Sequence, residues 1–195
     1  MTPIRTVVFD IGWVLLHLRT EPLLELLRQR GLAHQGLEDV CGRIALEDHE
    51  SGRLSTEGLI DNLVGLVPGR LDRDEARTAW LDIFDPQPAM LQLLNRLTDR
   101  YRVFLLSNVG ELHWEHLTKT YGVHQLGHGF LQSYVAGVTK PRAEIYALAE
   151  QRFSLVPAST VFIDDRLDNV VAARARGWAD IVHVRAAQTC AALEA

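Results

Sequence analysis

The sequence predicts an α/β protein: a mostly parallel sheet with helices on both faces, plus a small all-helical cap inserted after the first strand. Three observations point there. Short apolar runs occur at Thr6-Val7-Val8-Phe9, Arg102-Val103-Phe104-Leu105-Leu106, Phe130 to Val135, Thr160-Val161-Phe162-Ile163 and Ile181-Val182-His183-Val184. The apolar runs at 6–9, 103–106 and 160–163 suit strands buried on both faces, and 130–135 and 181–184 are strand-like with polar residues among them. From Pro88 onward, helical periodicity fills the intervals between them, the alternation of a parallel sheet. Before Pro88, several helical patterns follow one another with no strand among them.

Taken in order, Thr6–Phe9 forms the first strand, which ends on Asp10 and turns at Gly12. Thr20 and Pro22 suit the cap and first turn of a helix whose apolar face is Leu23, Leu24, Leu26 and Leu27, with Gly31 at its end. About Gly36 to Glu50 fits one more polar helix, broken by Ser51-Gly52. Ser55 opens another, carrying Leu59, Ile60, Leu63 and Val64 up to Pro68-Gly69. Asp72 with Glu75 makes a capping-box-like start for the next, with Ala76, Ala79, Trp80, Ile83 and Phe84. Asp85-Pro86-Gln87-Pro88 is a hinge, so the expected division is a core of 1–16 and 85–195 and a cap of 17–84. Beyond it, helices with faces at Met90–Leu97, Trp114–Tyr121, Ile145–Phe153 and Val170–Ala175 separate the remaining strands, and Pro141 suits the start of the third.

The 195 residues suffice for one well-buried domain or a core with a small insert. A net charge of −5 argues against a nucleic-acid binder that works by neutralising phosphates, though not against a small anionic substrate. Two distant cysteines, Cys41 and Cys190, make neither a disulfide framework nor a zinc site. No basic-then-apolar leader precedes Val7 and no apolar run approaches a membrane span. The expectation is a soluble cytoplasmic protein, monomer or homodimer.

Four strand-like runs finish on polar groups: Asp10, Ser107-Asn108, Lys140 after the run at 130–135, and Asp164-Asp165. In a parallel sheet these ends share one edge, where open α/β sheets bind ligands. Taken singly, Asp10 is as well explained by a turn, and Asp164-Asp165 by a helix cap. Jointly they set three carboxylates, a hydroxyl, an amide and an ammonium in one crevice. Clustered carboxylates require a cation, and hard oxygen ligands suit Mg2+. Such a cation with Lys140 and Ser107 can neutralise a phosphate, leaving Asp10 as the nucleophile that forms an aspartyl-phosphate.

The order FDIGWVL, LLSN, GVTKPRAEIY and VFIDDRLDN resembles the four motifs of the haloacid dehalogenase (HAD) superfamily, and the helical insert after the first resembles its smaller cap. The wording KPxxxIY and FIDDxxDN is most similar to the α-D-glucose-1-phosphatase-like members. The resemblance implies a Rossmann-like core and Mg2+-dependent hydrolysis of a small phosphorylated substrate, such as glucose 1-phosphate. It implies Asp10 as nucleophile and metal ligand, the Gly12 carbonyl and Asp165 as further ligands, and Asp164 ligating directly or through water. It also implies Ser107 and Asn108 on the phosphate, and Lys140 paired with nucleophile and phosphate.

One departure stands out: the second aspartate that many superfamily phosphatases carry two residues after the nucleophile is Gly12 here. General acid help is worth about 10²–10⁴-fold, so alkoxide expulsion is expected to be slower. Glucose-1-phosphatase-like members share the glycine. His17 is a weak candidate proton source, and Trp13 either walls the pocket or packs under the cap. Two other functions compete: a 2-haloacid dehalogenase, which the Asp164-Asp165 pair disfavours, and a catalytically weak phosphate-binding or interaction protein. His113, His116, His124 and His128 lack a partner set for zinc and are expected on the surface. Arg174 and Arg176 fit a solvated helix end. Arg43, His49, Glu50 and Arg53 are candidates to face the crevice from the cap.

Overall fold

Strand β1 (Thr6–Phe9) is buried along its whole length, as its unbroken apolar run requires. The structure is a computed structural model that describes residues 2–33 and 36–194. After β1 the chain turns tightly: the N–H groups of Leu15 and Leu16 both donate to the Ile11 carbonyl, and Trp13 has φ 59°. Next come β2 (Leu16–Leu18) and the helices α1 (Glu21–Gln29), α2 (Leu37–Arg43), α3 (Leu46–Glu50), α4 (Thr56–Gly65) and α5 (Arg73–Leu81). Strand β3 (Phe84–Pro86) then pairs antiparallel with β2, so the helical block leaves and rejoins the core through a two-stranded ribbon. The rest alternates: α6 (Pro88–Thr98), β4 (Arg102–Ser107), α7 (Glu111–Tyr121), β5 (Phe130–Gln132), α8 (Ser133–Ala136), α9 (Ala143–Phe153), β6 (Thr160–Asp164), α10 (Leu167–Ala175), β7 (Ala179–Val182) and α11 (Ala186–Glu194).

The main sheet has the order β5-β4-β1-β6-β7 with every pairing parallel. Phe9 lies beside Leu105 on one side and Ile163 on the other, so β1 ends within two residues of the ends of β4 and β6. The chain first adds strands on one side of β1 and then crosses to the other, which makes the C-terminal ends of β1 and β6 a switch point. Alternation along the strands divides the core. Val7, Phe9, Val103, Leu105, Val161 and Ile163 pack with α6, α7 and the cap. Val8, Phe104, Leu106 and Phe162 pack with α9 and α10 on the opposite face.

The α/β architecture is as the sequence predicts, and the departures have local causes. The expected single helix over 36–50 is two, because Ala45 sits in the left-handed region at φ 54° and ends α2 before α3 starts. The strand expected over 130–135 stops at Gln132, where the buried Ser133 turns to receive the Val109 N–H on its hydroxyl at 2.9 Å. Pro141 precedes its helix rather than opening it, with Arg142 as the cap. The hinge at 85–88 contains β3, and α11 lay outside the sequence reading. Ser55 and Asp72 do cap α4 and α5, accepting from the N–H groups of Gly58 (3.1 Å) and Glu75 (2.8 Å). Arg174 and Arg176 are not simply solvated: each forks onto a carboxylate, Asp180 and Glu150 respectively.

The cap is seated on the core by the segment 46–52. His49 is buried, and its Nδ1 lies 3.0 Å from the Leu54 carbonyl. The Ser133 hydroxyl donates to the Glu50 carbonyl. Gly52, at φ +73°, passes so near Tyr134 that a Cβ would come within 2.6 Å of its carbonyl oxygen. A Cβ on Gly110, the N-cap of α7, would lie 2.1 Å from the His49 ring. Gly110 has φ −86°, so alanine is forbidden there by space alone. Gly110→Ala is therefore expected to lower unfolding stability by about 1–3 kcal/mol, the usual cost of overpacking, as read by urea denaturation.

Candidate active site

The crevice lies at the C-terminal ends of β1, β4 and β6. Asp10 directly follows β1, its N–H bonded to the Ile163 carbonyl of β6 at 2.9 Å, so sheet pairing fixes where its side chain starts. Its Oδ1 accepts from the Ile11 N–H at 2.7 Å and faces the Lys140 ammonium at 2.9 Å. Lys140 is almost wholly buried. Its Nζ also donates to Asp164 Oδ2 at 2.7 Å and to the Leu106 carbonyl at 3.1 Å. An ammonium has three N–H donors, and all three are placed.

Asp164 is fully buried and saturated. Besides Lys140 it accepts from the Arg166 N–H at 2.9 Å and from Asn169 Nδ2, 3.0 Å from both carboxylate oxygens. Tyr146 supports this arrangement by donating to the Asn169 carbonyl at 2.9 Å. Asn108 holds the lysine segment rather than standing free: its Nδ2 donates to the Lys140 carbonyl at 3.0 Å, and its Oδ1 accepts the Lys140 N–H at 2.8 Å. Gly12, Ser107, Asn108, Asp165 and Arg166 line a cavity of about 650 Å³ together with Asp10, Lys140 and Glu50.

Electrostatically the site lacks positive charge. Burial raises the Asp10 carboxyl to about pKa 7; Lys140 opposes the shift, and Asp164 and Asp165 add to it. Burial, then the neighbouring Asp164, also raises Asp165. Burial alone would lower Lys140, but Asp10 and Asp164 outweigh it and hold its pKa above the ordinary value, so it stays charged. Oxygen atoms of Asp10, Asp164 and Asp165 all lie within 4.8 Å of one another.

The sequence-derived site residues Asp10, Gly12, Ser107, Asn108, Lys140, Asp164 and Asp165 thus meet around one crevice. Of the four cap candidates, Glu50 lines it. His49 packs at the cap–core junction, Arg43 is exposed, and Arg53 bonds Asp48 through Nε at 2.8 Å. His17 lies in β2 opposite Asp85, with its ring against Trp13, which itself lines the crevice. His113 is a correction: it is buried, stacked on Trp80 at 4.8 Å and bonded to the Trp80 carbonyl, and burial lowers its pKa to about 4. The supporting roles of Asn169 and Tyr146 escaped the sequence reading, although both stand inside its motifs.

The chain is similar over most of its length to known proteins. It is 26% identical over 186 residues to a D-ribitol-5-phosphate phosphatase of Bacteroides thetaiotaomicron, covering 86% of this chain and 85% of that protein. It is 24% identical over 193 residues to a sesquiterpene phosphatase of Aspergillus oryzae, covering 97% and 94%. The magnesium complex of a HAD family enzyme from B. thetaiotaomicron superposes with TM-score 0.83 at 25% identity, over 93% of this chain and 94% of that one. Residues 4–177 match the haloacid dehalogenase-like hydrolases, and the chain belongs to that family.

Proposed function

We propose that this hydrolase is a Mg2+-dependent phosphatase, acting on a small phosphorylated metabolite through an aspartyl-phosphate on Asp10. The observation that carries the reading is the Asp10 carboxylate itself: buried at the end of the central strand, oriented through Oδ1 by Ile11 and Lys140, and open to a ligand-sized crevice. The same position serves a nucleophile in any displacement at carbon or phosphorus. The acidic cluster favours phosphorus, because a halide-displacing enzyme has no use for the carboxylates of Asp10, Asp164 and Asp165 gathered within 4.8 Å of one another.

The donor set fits Mg2+, which takes hard oxygen ligands and relieves the carboxylate excess that raises Asp10. Asp10, Asp165 and the Gly12 carbonyl would hold the ion. Asp164 already accepts from Lys140, Asn169 and Arg166, which favours its contribution through water. When bound, the ion neutralises phosphate oxygens and stabilises charge in the transition state. Asp10 attacks phosphorus, Lys140 holds the attacking carboxylate and its charge faces the phosphoryl group, and Ser107 offers its hydroxyl to a phosphate oxygen. Asn108 keeps Lys140 in place. Water then cleaves the acyl phosphate and restores Asp10.

The leaving group meets two environments. A polar mouth of about 500 Å³ is lined by Glu47, Asp48, Arg142 and Arg166, which suits a sugar or polyol phosphate such as glucose 1-phosphate. Behind Ser107 and Asn108 lies a smaller chamber of about 140 Å³ walled by Leu18, Leu23, Leu37, Ile83 and Phe84. That chamber favours a second reading, a short apolar alcohol. The ribitol 5-phosphate and sesquiterpene phosphatases named above divide along the same line.

A panel of ribitol 5-phosphate, glucose 1-phosphate, a prenyl phosphate, p-nitrophenyl phosphate and 2-chloropropionate tests the reading. Phosphate release should require Mg2+, stop with EDTA and vanish in Asp10→Asn; chloride release indifferent to EDTA would instead show a dehalogenase. A second expectation concerns stability without metal. Folded Asp10 titrates near pH 7, against an ordinary 3.8, so ionising it weakens the fold as pH rises through that window. Asp10→Asn should therefore melt above the wild type at pH 8, with the gap narrowing towards pH 4. Mg2+ should raise the melting temperature of the wild type far more than that of the variant, as calorimetry would show.

A further inference from the structure

Expelling an alkoxide from a phosphate monoester requires a proton, and most acids in the crevice are already engaged. Asp10 makes the bond to phosphorus, Asp164 is held by Lys140, Arg166 and Asn169, Asp165 would ligate the cation, and all three Lys140 protons are placed. Gly12 offers no side chain. The Cys41 thiol is pushed up to about 11, first by burial and then by Glu50, too weak an acid to serve near neutrality. Glu50 remains. It is the last residue of α3 and borders the polar mouth, the apolar chamber and the catalytic cavity alike, so it sits where they join.

Its place is built rather than incidental. The backbone on either side is clamped to the core by His49 against Gly110, by Ser133 on the Glu50 carbonyl, and by Gly52 against Tyr134. The charged and titratable groups around its carboxyl are Lys140, Asp10, Arg166, Glu47 and the Cys41 thiol. Burial dominates and raises Glu50 to about 7; Lys140 and Arg166 oppose the shift, while Asp10 and Glu47 add to it. A carboxyl held at this junction and raised by burial is a better proton donor than one in open solvent.

Resting on the phosphatase reading, we infer that Glu50 is the general acid of this enzyme, delivered from the cap. As Asp10 Oδ bonds to phosphorus, the P–O bond to the leaving group breaks and that oxygen takes the Glu50 proton, releasing the alcohol. The Glu50 carboxylate then accepts a proton from the water that attacks phosphorus. The P–O bond to Asp10 breaks, free phosphate leaves, and both carboxyls return to their starting states.

The test is the rate of the pre-steady-state burst of leaving-group release by wild type and Glu50→Gln, at saturating substrate with Mg2+. The two substrates are the alkyl phosphate that the wild type turns over best and p-nitrophenyl phosphate, whose phenolate leaves without a proton. The expected result is a 10²–10⁴-fold loss on the alkyl phosphate and less than tenfold on the nitrophenyl ester. The retained nitrophenolate burst also shows that the variant is folded. Equal losses on both substrates, or none on either, would overturn the role of Glu50. A wild type with no Asp10-dependent release from any phosphate ester would overturn the phosphatase reading instead, so the two failures are distinct.

Discussion

The Lys140 ammonium is the interaction on which the rest of the site depends. It joins Asp10 after β1, the Leu106 carbonyl of β4 and Asp164 at the end of β6, and so ties three neighbouring strand ends together. A buried cation is tolerable only when its donors are all satisfied; losing Lys140 itself would leave Asp10 and Asp164 as buried unpaired carboxylates, a loss that typically costs about 3–5 kcal/mol, whereas losing the Asp10 charge still leaves Lys140 paired with Asp164. Here three donors meet three acceptors. The arrangement leaves the carboxylates in excess, and that excess is what suits the crevice to a divalent ion and an anionic phosphate. Stability of the fold and readiness for chemistry are therefore opposed at this one point.

Around that point the core is divided so that one face of the sheet carries structure and the other also carries the lid. Val8, Phe104, Leu106 and Phe162 pack with α9, α10, Leu131 and Trp178. Val7, Phe9, Leu105 and Ile163 belong to an apolar cluster that runs on through α6 and α7 into the cap, including Leu23, Val40, Leu59 and Trp80. The cap is thus continuous with the core rather than a loosely tethered module. Because His49 and the Glu50 carbonyl are docked on the core, the carboxyl of Glu50 is positioned by the same packing that closes the site.

What was legible in the sequence follows from how local each signal is. Thr6–Phe9 and Thr160–Ile163 were plain because a strand covered on both faces must be apolar throughout, and α4 and α5 because Ser55 and Asp72 cap them within three residues. The polar strand ends placed Asp10, Ser107 and Asp164 because a parallel sheet brings its C-terminal ends to one edge, whereas Lys140 arrives from the loop after α8 and is held there by Asn108. The misses depend on distant partners. Ser133 ends β5 through a bond to Val109, and β2 pairs with β3 across the whole cap. His113 is apolar in its surroundings only because Trp80 and Phe84 arrive from other elements. No periodicity in 36–50 announces the left-handed Ala45 that aims α3 at the crevice.

Gly12 shows how chain and cap share the chemistry. Glycine is commonly imposed by a positive φ or by a crowded neighbour, but neither applies here: a Cβ at this position would meet only Leu18 Cδ1, at 3.8 Å, an ordinary contact. The backbone would accept a side chain, so its absence is a property of the site rather than of the turn. It leaves the volume between Asp10 and the apolar chamber open, and both the catalytic cavity and the chamber include Gly12 on their walls. A proton donor fixed beside the nucleophile would occupy that volume. One carried on α3 borders the cavity from the cap and leaves the volume beside Gly12 to the substrate. The same glycine that removes an acid from the core thus makes the cap a participant in the reaction as well as its lid.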